Sequence, residues 1–227
     1  MIVSASRRTD IPGFYLDWFL ARLEAGYVDV RNPMQKDQVS RIDLGRDKVD
    51  CIVFWSKNPA PILRALDALG DYTYCIQFTI NPYGKSWEGN LPPLAERLDT
   101  FRRLADAIGP ERMIWRYSPV LVDREHTEAF HLEAFSAIAR SLAGSTVRCR
   151  LSFIEIYDNI RFAMDKRGVR PLEEEQKNRM AGAFRDLAKS HGMTLGACGN
   201  PDRKAAGLDT GGCNPTEMTA GGPGEAV

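Results

Sequence analysis

Apolar residues fall along this chain in two alternating rhythms. Short runs rich in β-branched and aromatic residues occupy 1–6, 27–30, 51–57, 74–81, 112–122, 147–157 and 193–198, and turn-forming residues bound most of them, which predicts strands. Between most of these runs, apolar positions recur every three or four residues: Ile62, Leu63, Leu66 and Leu69; Leu94, Leu98, Phe101, Leu104 and Ile108; Phe135, Ile138, Ala139 and Leu142; Met180, Ala183, Phe184 and Leu187. That spacing gives each helix one apolar stripe to lay on a sheet. Gly70, Gly109-Pro110 and Gly192 stand where these helices should stop. A further amphipathic segment, from Phe14 to Leu23, follows the first strand, with Asp10 as its cap and Pro12 in its first turn.

Strands alternating with helices predict an α/β fold with parallel strands and outer helices. No Gly-x-Gly-x-x-Gly turn is present. The expected architecture is therefore an incomplete (β/α) barrel, TIM-barrel-like, with a doubly wound sheet as the runner-up. Residues 1–198 should form this body. Residues 199–227 are rich in Gly and Pro without apolar periodicity and are expected to be a flexible tail.

In such a fold ligands gather where strands end. The first strand runs into Arg7, Arg8 and Asp10, and three later turns carry Asn-Pro: Asn32-Pro33, Asn58-Pro59 and Asn81-Pro82. Proline keeps the Asn extended, so its amide can either cap the next element or face a ligand. Lys57 could pair with a phosphate or carboxylate, or sit in water. Within 74–81, Ile76, Phe78 and Ile80 share one face, and Gln77, Thr79 and Asn81 share the other. Trp115 and Tyr117 are likewise separated from Arg116 and Ser118. These polar faces point either into a pocket or, on an edge strand, into solvent. Glu155 ends an apolar strand, where burial would tune it as a general base or a carboxylate for a cationic ligand. The other reading is a bridge to Arg116 or Arg150. The candidate catalytic residues are thus Glu155 and Lys57, and the candidate substrate-binding residues are Arg7, Arg8, Asp10, Asn32, Asn58, Gln77, Asn81 and Arg116. His126 at a helix start, His131 on an expected solvated face and His191 at a helix end are poor candidates.

Composition narrows the classes. The chain has 227 residues, 44% of them hydrophobic, enough for one sizeable core. Thirty basic side chains balance thirty acidic ones, so net charge does not indicate nucleic acid as the partner, although it stays possible; local basic clusters could still bind a phosphate, and a small-molecule or phosphate-bearing substrate is expected. The longest apolar run, around Cys51 to Trp55, is far short of the roughly 20 residues of a spanning helix, so no membrane partner is expected. Arg7-Arg8 before Phe14 could pass for an export signal, but Asp10, Asp17, Arg22 and Glu24 interrupt any apolar segment. Five widely spaced cysteines read as reduced thiols of a cytoplasmic protein. Gly-x-Ser-x-Gly, His-Glu-x-x-His and P-loop signatures do not occur.

The strings Ser6-Arg7-Arg8-Thr9-Asp10-Ile11-Pro12, Val30-Arg31-Asn32-Pro33, Phe54-Trp55-Ser56-Lys57-Asn58-Pro59, Trp115-Arg116-Tyr117-Ser118-Pro119 and Ser152-Phe153-Ile154-Glu155 resemble the bacterial family called domain of unknown function 1848. The resemblance spans about residues 1–198. It implies a barrel-like α/β body followed by cysteines similar to the iron-sulfur motif of radical S-adenosylmethionine enzymes, hence a [4Fe–4S] cluster and S-adenosylmethionine as family cofactors. This chain departs there: after Cys198 only Cys213 follows, where three closely spaced thiolates are needed. The tail reads as a truncation or shifted frame, and no cofactor or metal is expected in this chain. Two readings stand, a radical-type enzyme that has lost its cluster and a non-catalytic remnant that binds a ligand or keeps only the fold.

Overall fold

The computed structural model describes residues 1–5, 8–197 and 208. In chain order the elements are β1 (Ile2–Ala5), α1 (Ile11–Phe14), α2 (Leu16–Ala25), β2 (Tyr27–Arg31), β3 (Val39–Asp43), β4 (Cys51–Ser56), a 3-10 turn (Ala60–Arg64), α3 (Leu66–Leu69) and β5 (Tyr74–Thr79). Then come α4 (Lys85–Glu88), α5 (Leu94–Ile108), a second 3-10 turn (Pro110–Arg112), β6 (Met113–Val120), α6 (Glu128–Leu142), β7 (Arg148–Phe153), α7 (Asp158–Lys166), α8 (Glu174–Ser190) and β8 (Thr194–Ala197). Six strands form one sheet in the order β1-β4-β5-β6-β7-β8, with β1 parallel to β4, β6 to β7 and β7 to β8. The α/β class and the mainly parallel sheet with helices on it are as the periodicity predicts. The sheet order ends at β1 and β8.

One strand departs from that expectation. The run at 27–30 is not a member of the parallel sheet but pairs antiparallel with β3 in a two-stranded ribbon. Its loop is closed by Asn32, whose Oδ1 accepts from the Met34 N–H at 2.9 Å and whose Nδ2 donates to Gln38 Oε1 at 2.6 Å. β3 carries no apolar rhythm, only Val39 and Ile42 among polar residues, so the pattern had nothing to reveal it.

Contacts divide the chain into two compact units, the first Met1–Ile76 and the second beginning at Gln77, within β5. In the first, α2 turns Leu16, Phe19 and Leu23 inward, and the Phe19 ring meets Phe54 edge-on at 5.5 Å. The helix breaks at Tyr15, so Phe14 stays out of the core at 76% exposure although it fits the apolar spacing. Gly26 ends α2 with φ of 77°, a left-handed conformation that side chains resist, and its carbonyl accepts from the Leu44 N–H at 2.7 Å.

In the second unit Phe78 stacks on Phe101 at 5.6 Å. Phe135 lies 4.6 Å from Trp115, 5.1 Å from Tyr117 and 4.8 Å from Phe184, knitting β6, α6 and α8 together. Every residue of β5 is buried, Gln77 completely, so the solvated-edge reading of this strand fails. A strand inside the sheet order, covered on both faces, has no face for water. Helix α7 was not predicted: none of its residues is buried and Phe162 is 83% exposed, leaving no stripe to read. No helix among the described residues is long and apolar enough to cross a membrane.

Candidate functional site

In the first unit the carboxylate of Asp10 organises two loops. As cap of α1 its Oδ1 accepts from the Gly13 N–H at 2.8 Å, while Oδ2 accepts from the Ser56 hydroxyl and the Lys57 N–H, both at 2.9 Å. Ser56 Oγ in turn accepts from the Asn58 N–H at 2.9 Å. The end of β4 is thus held at three consecutive residues, and the half-buried side chains of Lys57 and Asn58 leave a fixed backbone. Capping is the role the sequence offered Asp10; the second half of its work, across 46 residues of chain, has no local signal.

In the second unit Asn81, 1% exposed, does for β6 what Asp10 does for β4. Its Nδ2 donates to the Ser118 carbonyl and its Oδ1 accepts from the Ser118 N–H, each at 2.9 Å, so one amide satisfies both backbone groups of a residue 37 positions away. Behind it lies a buried ion pair, Arg97 with Glu88 at 3.1 Å, the side chains 3% and 5% exposed. Glu88 also accepts from Asn81 Nδ2 at 3.3 Å, and Arg97 donates to the Asn81 carbonyl at 3.4 Å. Ser118 and Ser152 hydroxyls meet at the ends of β6 and β7.

The remaining candidates have other partners. Arg7 lies outside the described residues. Arg8 reaches the ribbon, donating to the Arg31 carbonyl at 2.9 Å. Asn32 shapes the ribbon's loop. Arg116 is half-buried and its carbonyl accepts from the Ile80 N–H at 3.0 Å. Glu155 is exposed and accepts from the Tyr157 hydroxyl, so the burial on which a general-base role rested is missing.

His131 corrects the expectation of a solvated face: it is fully buried. Its Nε2 lies 2.7 Å from the Leu121 carbonyl, which can only accept, so the proton sits on Nε2 and Nδ1 accepts from the Tyr117 hydroxyl at 2.7 Å. Burial pushes the His131 pKa down and Tyr117 well up, which keeps both neutral. Nearby, His126 Nδ1 lies 2.9 Å from both oxygens of Asp123. Burial pushes the Asp123 carboxyl up, but the His126 and Glu125 backbone N–H groups and the His126 ring outweigh it and hold the pKa below the usual range. Position 131 continues the stripe of Phe135, Ile138 and Leu142, the signal that marked it as core.

A family model described as Domain of unknown function (DUF1848) matches residues 2–221. The chain belongs to that family. No curated protein matches this DUF1848 chain. Among solved structures it is similar to a double mutant of spore photoproduct lyase with bound AdoMet and dinucleoside spore photoproduct, at 15% identity and a TM-score of 0.55. The likeness covers 86% of this chain and 60% of the lyase, so the DUF1848 chain spans well under two thirds of that protein. It shows a shared fold.

An iron-sulfur cluster, which the motif resemblance implies for the family, needs thiolates on one loop. Cys51, Cys75 and Cys149 are buried on β4, β5 and β7, and burial pushes the Cys149 thiol well above its ordinary pKa. Among the described residues no three His, Cys, Asp or Glu side chains group in a way that could hold a metal ion. The described donors therefore do not fit the cluster. Cys198 and Cys213 lie outside the described residues.

Proposed function

We propose that this DUF1848 chain is the ligand-binding body of a radical AdoMet-related fold, an incomplete barrel that takes an anionic organic substrate where its parallel strands end. The observation that carries this is the Asp10 node: a carboxylate accepting from Gly13, Ser56 and Lys57 fixes the β4 end far more firmly than a loop needs merely to turn. Lys57 would supply the charge that holds the anion and Asn58 a directional amide. Inorganic phosphate is the probe, titrated calorimetrically against the full chain, Lys57→Met and Arg31→Gln. Saturable binding lost in Lys57→Met supports the reading; binding lost only in Arg31→Gln, binding that ignores both substitutions, or no binding overturns it.

We further propose that residues 1–227 do not hold a complete set of cluster thiolates. Three of the five cysteines sit one to a strand, and gathering them would dismantle the core. Anaerobic reconstitution with iron and sulfide should leave iron well below four per chain. A stoichiometric four-iron cluster would return radical chemistry to these residues.

A further inference from the structure

A groove of about 650 Å³ opens in the first unit between α1–α2 and β2, and Thr9 and Ile11, the chain neighbours of Asp10, are part of its lining. That volume is in the range of small-ligand sites. One wall is Tyr15, at the break between α1 and α2, and Trp18 on α2, each about half exposed. The other wall is β2, from Val28 to Arg31. Two aromatic and two aliphatic side chains make the groove apolar enough to take a planar ring.

The charge at its rim is unbalanced. Arg8, Asp29 and Arg31 line the groove, but Asp29 is already engaged by Arg41 through two hydrogen bonds of 2.8 Å. Arg8 is held in place by the Arg31 carbonyl at 2.9 Å, and no carboxylate pairs with Arg8 or Arg31 among the described residues. Two guanidiniums beside this groove match an anion attached to a planar ring, and guanidinium prefers the flat, bidentate face of a phosphate.

We propose that this groove binds a nucleoside phosphate unit, its base stacked on Trp18 and Tyr15 and its phosphate at Arg8 and Arg31. The unit can come from a free nucleotide or from a single strand, and both present the same chemistry. A balanced total charge does not oppose this, because the local rim is cationic.

The test titrates the full chain calorimetrically with thymidine monophosphate and with a thymidine decamer. Trp18→Ala should weaken binding roughly 5- to 150-fold, the range for loss of one stacked base, while Trp18→Phe retains most of it. Trp18 is half exposed, so both variants should keep the far-ultraviolet circular dichroism of the parent. For the decamer, Arg31→Gln should lower the slope of log affinity against log salt by about 0.7. Arg103→Gln, an exposed charge on α5, is the control and should change little. Binding of both probes with mutual competition assigns the groove to free nucleotides as well as strands; binding of the decamer alone assigns it to strands. No saturable binding of either probe, indifference to Trp18→Ala, or equal losses in Arg31→Gln and Arg103→Gln would overturn the proposal.

Discussion

Asp10 and Asn81 solve one problem in two environments. Each is a short polar side chain that ties a loop at a strand end to backbone groups about 40 residues away, yet Asp10 is half-buried and Asn81 is 1% exposed. At Asn81 the surroundings are closed by the buried Arg97–Glu88 pair, and the polar groups there mostly serve one another. At Asp10 a similar economy of hydrogen bonds leaves neighbouring side chains beside water. Polar residues at strand ends therefore divide by burial: the enclosed set is bonded within itself, and the open set borders solvent.

The sharpest way to break this contrast is to cut the enclosed set. Arg97→Met or Glu88→Gln alone strands a buried charge or its partner and should cost about 3–5 kcal/mol in urea unfolding, whereas the double substitution should cost clearly less. A loss below about 1 kcal/mol in either single variant would mean water reaches the pair and the division by burial is wrong.

Next in size is His131→Phe, which leaves the Tyr117 hydroxyl and the Leu121 carbonyl without their partner and should cost about 1–3 kcal/mol at pH 8. Its pH dependence has a definite sign. The folded pKa of His131 is lowered, so the unfolded chain binds the proton more readily, and stability should fall as pH drops below the unfolded value of about 6.5. His131→Phe should flatten that decline. Asp123 acts in a separate window: its folded pKa is depressed, so its contribution is full above about pH 3.9 and is lost as pH falls through the lower folded value. Asp123→Asn should remove that acid limb and leave the decline near neutrality in place.

Asp10→Ala should cost about 1–2 kcal/mol, less than the buried set because water can replace part of what is lost. Protection of the Gly13 and Lys57 amides from hydrogen exchange should drop in the same variant. Smallest of all, Lys57→Met should change stability by no more than about 0.5 kcal/mol while altering ligand binding.

Much of the scaffold could be read from the chain because burial imposes a period on it. Phe101 and Leu104 on α5, or Phe135, Ile138 and Leu142 on α6, face the sheet for the reason their spacing announces. Where an element buries little, as β3 and α7 do, the period is missing and the element went unseen. Site chemistry was legible one residue at a time and not in its assignments. Asn81 and Asn32 have the same Asn-Pro context, yet one clamps a neighbouring strand and the other shapes a surface loop, because their partners, Ser118 and Gln38, are set by topology. His131, expected on a solvated face, is buried because it lies one helical turn before Phe135 on the apolar stripe.

The strand order has a consequence for how the chain is made. From β5 onward each strand lies beside the one synthesised just before it, and β4 lies beside β1. As the nascent chain leaves the ribosome, N-terminal residues first, every new strand finds its template edge already formed, and no late segment has to be threaded between earlier ones. The sheet can thus lengthen in one direction at the pace of translation, with only its growing edge exposed to wrong partners at any moment.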